Sequence, residues 1–254
     1  MRPALPSSDR LTSLRDRIGS VIRGLRLVLS YGYGVSGGVG KALVVVLTLC
    51  AAPAAADDVV IAALGDSLTQ GFGLPADQGF VPQLQAVLED RGHAVRLINA
   101  GVSGDTTAGG LARVDWTLSE EVDAMIVALG GNDLLRGLPP EDARTNLAGI
   151  LQAAESRGVA VLLVGLKAPL NYGADYKQAF DTIYPDLAAE YGALYAESFL
   201  APIIEADDPA ALMQGDGIHP NAAGVARVVA ALAPQVEALI ARVAAAGGET
   251  AYSP

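Results

Sequence analysis

Short runs of apolar residues alternate along this chain with longer segments that mix apolar and polar residues at helical spacing. The apolar runs predict strands over 59–64, 95–99, 124–129, 159–166 and 193–196. The mixed segments predict helices near 77–91, 106–118, 140–157, 174–191 and 221–246. Nearly continuous apolar strands that alternate with helices are typical of a parallel sheet covered on both faces. We therefore predict one three-layer α/β domain over residues 57–247, followed by a disordered tail over 248–254.

The first 56 residues depart from this pattern and indicate an exported protein. Lys41 precedes an apolar run over 42–56, which ends in small residues at Ala54 and Ala56. A basic flank, a short apolar run and small residues before the cut are typical of a secretory signal. The run is shorter than the roughly 20 residues of a membrane span, so we expect no stable span. We interpret 1–56 as a leader and expect the mature protein in the periplasm.

Two motifs in this leader suggest other roles. Cys50 ends a segment similar to a lipoprotein box, although Leu49 stands where a small residue is expected. Lipid anchoring through Cys50 is therefore a minor alternative. Residues 32–37 fit the G-x-G-x-x-G pattern of dinucleotide sites. The signal-like run follows them in place of a helix and a second strand, so we interpret them as part of the leader.

Charge and cysteine content exclude several classes of partner. Residues 57–254 carry 26 acidic and ten basic side chains, a net charge of −16, against −11 for the full chain. A body this acidic repels the phosphates of nucleic acids. The single cysteine rules out an internal disulfide, and no Cys/His cluster has the spacing of a zinc site. We expect neither a metal nor a nucleic-acid partner.

The loops that follow the first three strands carry candidate chemistry, because ligands lie outside the carboxyl ends of parallel strands. Ser67 follows the first strand and can act as a nucleophile if a base takes its proton; the alternative is a helix N-cap. Gly104 follows the second and can bring an N–H close to a ligand; alternatively, this turn caps the next helix through Asp105 or Thr106. Asn132 follows the third and can donate to an oxyanion; the alternative is an Asx-turn.

A fourth cluster, residues 216–220, precedes the last predicted helix and contains an acid and a base. Acyl transfer by a serine needs a base, and a carboxylate to orient that base. Asp216 and His219 are three residues apart and can meet directly in a tight turn. The other histidine, His93, falls at a helix–strand junction on the opposite end of the predicted sheet, and we interpret it as structural.

Together these motifs resemble the four sequence blocks of the SGNH, or GDSL, hydrolases. In chain order the blocks are Gly65-Asp66-Ser67-Leu68, Gly104, Gly130-Gly131-Asn132-Asp133 and Asp216-Gly217-Ile218-His219-Pro220. The resemblance implies a flavodoxin-like α/β/α sandwich and a serine esterase that needs no cofactor. It implies Ser67 as nucleophile, His219 as base and Asp216 as the group that orients it. It also implies an oxyanion hole made by the N–H groups of Ser67 and Gly104 and the Asn132 side chain.

Further segments, 103–106, 168–173, 183–185 and 213–214, are similar to the bacterial thioesterase I, lysophospholipase L1 and arylesterase branch. There the loop holding Asn171, Tyr172 and Gly173 borders the acyl groove, so this branch implies that they bind substrate. Lys167-Ala168 departs from the branch, where an arginine and an apolar residue are expected, so the resemblance does not fix the acyl length. We expect a monomer acting on small acyl esters, lysophospholipids or thioesters. A carbohydrate acetylesterase and a non-catalytic ligand-binding module remain alternatives.

Overall fold

The computed structural model describes residues 58–250; the predicted leader, with Cys50 and the glycine motif, and the last four residues lie outside them. Within the described residues, five strands form one parallel sheet in the order β2-β1-β3-β4-β5. The strands are β1 Val59–Gly65, β2 Val95–Gly101, β3 Ala124–Ala128, β4 Ala160–Val164 and β5 Leu194–Ala196.

Helices connect these strands and cover both faces of the sheet. In chain order they are α1 Ser67–Gln70, α2 Phe80–Asp90, α3 Thr107–Thr117, α4 Gly131–Leu135, α5 Pro140–Glu155, α6 Ala174–Asp181, α7 Ile183–Glu190, α8 Ala201–Ile204 and α9 Ala222–Thr250. On one face α2 packs against α9, which also contacts β4 and β5. On the other face α5 packs against α3 and α7. This arrangement confirms the predicted α/β/α sandwich.

Burial explains which strands are easiest to recognise as apolar runs in the sequence. The central strands β1, β3 and β4 are buried almost throughout, because helices cover them on both sides. In the edge strand β2 only Val95 is buried, Arg96 and Asn99 are exposed, and the other positions are half-buried. Its true end, Gly101, lies two residues beyond the predicted one, since apolar periodicity weakens at an exposed edge.

The structure divides one predicted helix and extends another. The helix expected over 174–191 is two helices, α6 and α7, with a break at Thr182. Pro185 lies in the first turn of α7 and has no N–H, so the chain cannot continue the α6 ladder through it. The last helix, expected to end near residue 246, is described to Thr250. It therefore enters the segment in which the tail was expected.

The length and apolarity of α9 have an explanation in the core. By length and composition alone, its residues 222–247 could cross a membrane, and they are the described residues that meet this test. Val228, Val229 and Ala233 are fully buried against the sheet, as are Val236 and Leu239 one and two turns later. The inner side of the helix is therefore part of the hydrophobic core.

Strand order places the candidate loops at one edge. From β1 the chain moves to β2 on one side and then crosses to β3 on the other, so β1 lies where the direction of winding reverses. Such a reversal leaves a crevice at the carboxyl ends of the strands. The register aligns Gly65 of β1 with Gly101 of β2 and Ala128 of β3. The loops that follow these three residues therefore open onto the same crevice.

Candidate active site

Ser67 is the first residue of the short helix α1, directly after β1. The preceding residue, Asp66, is the N-cap, and its Oδ1 accepts the Leu68 N–H at 3.0 Å. The capping role considered for Ser67 therefore belongs to its neighbour. The Ser67 hydroxyl is left to face the loop that precedes α9.

The hydroxyl, imidazole and carboxylate predicted as a triad form one hydrogen-bonded row. Ser67 Oγ lies 2.8 Å from His219 Nε2. His219 Nδ1 lies 2.7 Å from Asp216 Oδ2. In this row the imidazole can take the hydroxyl proton on one nitrogen while the carboxylate holds the other.

The turn at 216–219 keeps the carboxylate ionised. Asp216 Oδ1 accepts the His219 N–H at 3.0 Å and the Ile218 N–H at 2.9 Å. These donors, with the His219 imidazole, hold the pKa of Asp216 well below its ordinary value. The Phe72 ring also packs against the His219 imidazole, with the two ring centroids 4.6 Å apart.

Two amide side chains fix this turn to the rest of the domain. Gln214 Nε2 donates to the carbonyls of Phe72 and Pro220, at 2.8 and 2.9 Å. Asn221 Oδ1 accepts the N–H groups of Ala223 and Gly224, so it caps the start of α9. The base is therefore positioned both by the long helix and by the loop after α1. Gln214 belongs to a segment that carries the resemblance, whereas Asn221 lies just beyond the block that ends at Pro220.

The predicted oxyanion donors Gly104 and Asn132 lie in the segments after β2 and β3, at the edge of the sheet that carries Ser67. Asn132, in α4, donates from Nδ2 to the Asp105 carbonyl at 2.8 Å and so forms no Asx-turn. Gly104 has φ +83°, a conformation that favours glycine, and its carbonyl accepts Arg136 Nη2 at 2.8 Å. In the part of the chain that the structure describes, the N–H groups of Ser67 and Gly104 donate to no other protein group.

The two loops that carry these donors are tied together in the core. Buried Asp133 accepts the Thr107 N–H at 2.8 Å and its hydroxyl at 2.6 Å. Thr106 caps α3 by accepting the Gly109 N–H. Of the two caps considered for this turn, Thr106 is the one observed, while Asp105 has a different partner.

That partner is Arg113, which lies outside the sequence blocks that predict the site. Its Nε donates to Asp105 Oδ2 at 2.6 Å, and its Nη1 and Nη2 donate to the carbonyls of Ala100 and Gly65 at 2.7 and 2.9 Å. The guanidinium thus joins the ends of β1 and β2 to the loop that anchors Asn132. A signal was available, because Arg113 lies three residues after buried Gly110 and hence on the inner face of α3.

Gly130 shows how closely the end of β3 is packed. Its φ is +114°, and a Cβ built there would collide with the Tyr184 hydroxyl. That hydroxyl, on a fully buried ring, donates to the Leu129 carbonyl at 2.9 Å. Glycine is required here both by the backbone conformation and by the tyrosine beneath it.

Asp66 is a second buried acid at the site, next to Ser67. Burial is the main cause that raises its pKa from 3.8 to about 6, against the lowering effects of the Leu68 N–H and His219. Its Oδ2 lies 3.5 Å from Asn132 Nδ2, at the limit of a hydrogen bond. Protonation of Asp66 therefore changes the electrostatics directly behind the oxyanion donors.

An apolar groove leads away from Ser67. Ser67, Gly131 and Asn132 lie along it. Its apolar wall consists of Leu134, Leu135, Leu166, Leu200, Ile204 and Ile218. Loops after β3, β4 and β5 and the turn before α9 contribute to this wall, so its shape could not be read from any one segment.

The predicted substrate-binding loop lies at the outer rim of this groove. Leu170–Tyr172 is a turn of 3-10 helix that ends at Gly173. The Tyr172 hydroxyl lies 3.4 Å from the Leu135 carbonyl, but none of Asn171, Tyr172 and Gly173 lines the groove itself. The start of the same loop reaches the groove through Leu166 and Lys167.

His93 lies apart from the site. It precedes β2, at the opposite edge of the sheet, and its Nε2 lies 3.3 Å from Glu237 Oε1 on α9. Arg91 pairs with the same carboxylate, so His93 helps to join α2 to α9. Among residues 58–250, no three His, Cys, Asp or Glu side chains are grouped as a metal site requires.

A Ser–His–Asp row at the crevice of a parallel α/β/α sandwich, beside free N–H donors, defines a serine hydrolase. The family model for the GDSL-like Lipase/Acylhydrolase family matches residues 63–227, and the chain belongs to this family. It is therefore an ester hydrolase.

Two curated relatives are matched by this chain over most of their own length. The chain is 40% identical over 195 residues to Esterase TesA of Pseudomonas aeruginosa, covering 76% of this chain and 94% of that protein. It is 36% identical over 189 residues to Thioesterase 1/protease 1/lysophospholipase L1 of Escherichia coli K12, covering 74% and 86%. A crystal structure of TesA matches with a TM-score of 0.66 at 39% identity, covering 71% of this chain and 99% of that one.

Proposed function

We propose that this protein hydrolyses carboxylic esters and thioesters through an acyl-enzyme on Ser67, with His219 as base and Asp216 as its orienting acid. The observation that carries the proposal is the row Asp216–His219–Ser67, with contacts of 2.7 and 2.8 Å, at the mouth of an apolar groove. The names of the relatives, an esterase and a thioesterase/lysophospholipase, support the same chemistry.

In the first half-reaction His219 Nε2 takes the Ser67 proton as Oγ attacks the carbonyl carbon. The N–H groups of Ser67 and Gly104 and the Asn132 amide stabilise the oxyanion. Its collapse breaks the bond to the leaving oxygen or sulfur, which receives the proton from His219. Water then attacks the acyl-enzyme with the same assistance, which releases the carboxylic acid and restores Ser67.

The groove favours apolar acyl groups, since leucine and isoleucine side chains form most of its wall. We infer that the leader over 1–56 directs the protein out of the cytoplasm. Thioesters of coenzyme A are cytoplasmic, so lysophospholipids and exogenous esters are the natural substrates that fit this location. Monomeric action is part of the proposal.

The test is hydrolysis of p-nitrophenyl esters by Ser67→Ala, with Ser156→Ala as the matched control, since Ser156 lies at the far end of α5. Ser67→Ala should lose turnover while keeping its circular dichroism spectrum, and Ser156→Ala should keep both. A fluorophosphonate should label the parent and not Ser67→Ala. Near-normal turnover by Ser67→Ala would refute the assignment.

Acyl-chain profiling then separates the two ester-hydrolase alternatives. An acyl esterase with this groove should prefer octanoyl over acetyl esters. A carbohydrate acetylesterase would show the reverse order and would release acetate from acetylated sugars. A binding module would neither turn over nor react with the fluorophosphonate.

A further inference from the structure

The exposed apolar side chains of the domain are concentrated at one edge. Among residues 58–250, eight large apolar side chains are exposed, and seven of them lie in the loops and short helices that follow the carboxyl ends of the strands. The eighth, Trp116, is 89% exposed. It lies in the last turn of α3, which runs from the carboxyl edge to the opposite one.

The seven side chains lie at the edge of the sheet on which the groove opens, and we refer to them as the apolar collar. Three of them, Leu135, Ile204 and Ile218, also line the groove. The other four are Phe72, Val102, Leu170 and Tyr172.

The collar is continuous with the site. Phe72 packs on the His219 imidazole. Tyr172 contacts the backbone of Leu135, whose side chain lies on both the collar and the groove wall. Leu170, exposed to 69%, projects from the same loop as Tyr172. An apolar surface beside a substrate entrance is a candidate docking face, because exposed patches of this kind are seldom maintained without a partner.

The occupant of this face must leave the groove open, a requirement that rests on the proposed function. A folded protein or a second copy seated across the collar would close the entrance to Ser67. A lipid aggregate covers the collar and at the same time supplies acyl chains to the groove. The charge of the protein disfavours anionic lipids. Residues 57–254 carry a net charge of −16, and an anionic lipid surface repels them.

We propose that the apolar collar docks the protein on the surface of zwitterionic lipid aggregates, with the mouth of the groove against the lipid. The collar side chains insert among the headgroups, as the apolar faces of interfacial proteins do. Docking is a property of this surface and needs no turnover. It can therefore be measured in a Ser67→Ala chain.

The experiment is flotation with phosphatidylcholine vesicles of residues 57–254 carrying Ser67→Ala. A domain of this extent folds alone, since the crystal structure of TesA is matched over 99% of its length by 71% of this chain. Leu170→Ser should weaken vesicle binding about tenfold, and adding Ile204→Ser should weaken it about 100-fold. Trp116→Ser removes a larger exposed side chain at the opposite edge and should leave binding unchanged.

Fluorescence provides the orientation. Trp116 is the single tryptophan, so its emission should not shift when phosphatidylcholine vesicles are added. A tryptophan introduced by Leu170→Trp in a Trp116→Phe chain should shift to the blue. The opposite pattern, a shift for Trp116 and none at position 170, would place the lipid on the wrong face.

Other outcomes also overturn the proposal. These are absence of binding, equal loss in Trp116→Ser and Leu170→Ser, tighter binding when phosphatidylglycerol is added, or a dimer in sedimentation that Leu170→Ser dissociates. Failure of the proposed function looks different, because it is loss of turnover of soluble p-nitrophenyl acetate by the parent. Trp116→Ser, at the opposite edge of the sheet, should retain that soluble turnover.

Discussion

Arg113 offers the strongest test of how the scaffold positions the site. Arg113→Ala removes the pairing with Asp105 and two hydrogen bonds, to the Ala100 and Gly65 carbonyls. Breaking a fully buried ion pair costs about 3–5 kcal/mol. The Arg113 and Asp105 side chains are 23% and 18% exposed, so water screens part of the charge. We expect the free energy of unfolding to fall by about 2–3 kcal/mol.

The same substitution should slow catalysis. Asp105 presents the carbonyl that holds the Asn132 amide, and Gly65 precedes the Asp66–Ser67 turn. Small displacements of reacting groups can cost about 100-fold in rate. We expect kcat for p-nitrophenyl acetate to fall about 10- to 100-fold with little change in KM, because the lost interactions position the transition state. Arg113→Lys keeps the charge without the guanidinium fork and should lie between Ala and the parent.

Urea unfolding and steady-state kinetics on the same preparations provide the assay. The control is Arg96→Ala, which removes an exposed pair with Glu121 and should change the unfolding free energy by less than about 1 kcal/mol. An Arg113→Ala chain as stable as the parent, or one with unchanged kcat, would show that the network does not support the site.

Four further results are expected. Burial raises the pKa of Asp66 from 3.8 to about 6, so its stabilising effect is complete below the unfolded value and is lost as pH rises through 6; urea unfolding should show a decline of about 2–3 kcal/mol between pH 4 and pH 7 that Asp66→Asn abolishes, and parallel pH curves would contradict this. Gly130→Ala should lower the unfolding free energy by about 2–5 kcal/mol, since it combines positive-φ strain with overpacking; adding Tyr184→Phe should recover only part, and full recovery would exclude the backbone strain. Asp216→Asn should reduce kcat about 10⁴-fold with little change in melting temperature, and a loss below tenfold would remove Asp216 from the triad; because the pKa of Asp216 is held below its ordinary value, the parent should show no loss of activity from its protonation above about pH 4. Asn132→Ala should reduce kcat about 10²–10³-fold and leave measurable activity, whereas an unchanged rate would exclude it from the oxyanion hole.

The sequence predicts well what depends on local pattern. The strands β1, β3 and β4 could be recognised because both of their faces are buried, which leaves them almost wholly apolar. Asp216 and His219 could be paired because three residues in a turn suffice to bring them together. The loops after the first three strands could be placed at one edge because parallel strands share a direction.

What the sequence does not predict depends on register and on contacts between distant segments. The partners of Arg113 are carbonyl groups, which have no sequence signal, and they are brought together by the pairing of β1 with β2. The groove wall combines loops after β3, β4 and β5 with the turn before α9. The break at Thr182 follows from Pro185 and could have been predicted; helical periodicity on both sides concealed it.

The proposed triad contains one short-range and one long-range contact, and this has a consequence for biosynthesis. Asp216 and His219 are separated by three residues, whereas the contact between Ser67 and His219 spans 152. The acid–base pair can assemble as soon as its own turn closes. The serine encounters it only after nearly the whole domain has been made and α9 has docked. A nascent or partly unfolded chain therefore holds an unactivated hydroxyl, and the appearance of activity reports completion of the fold.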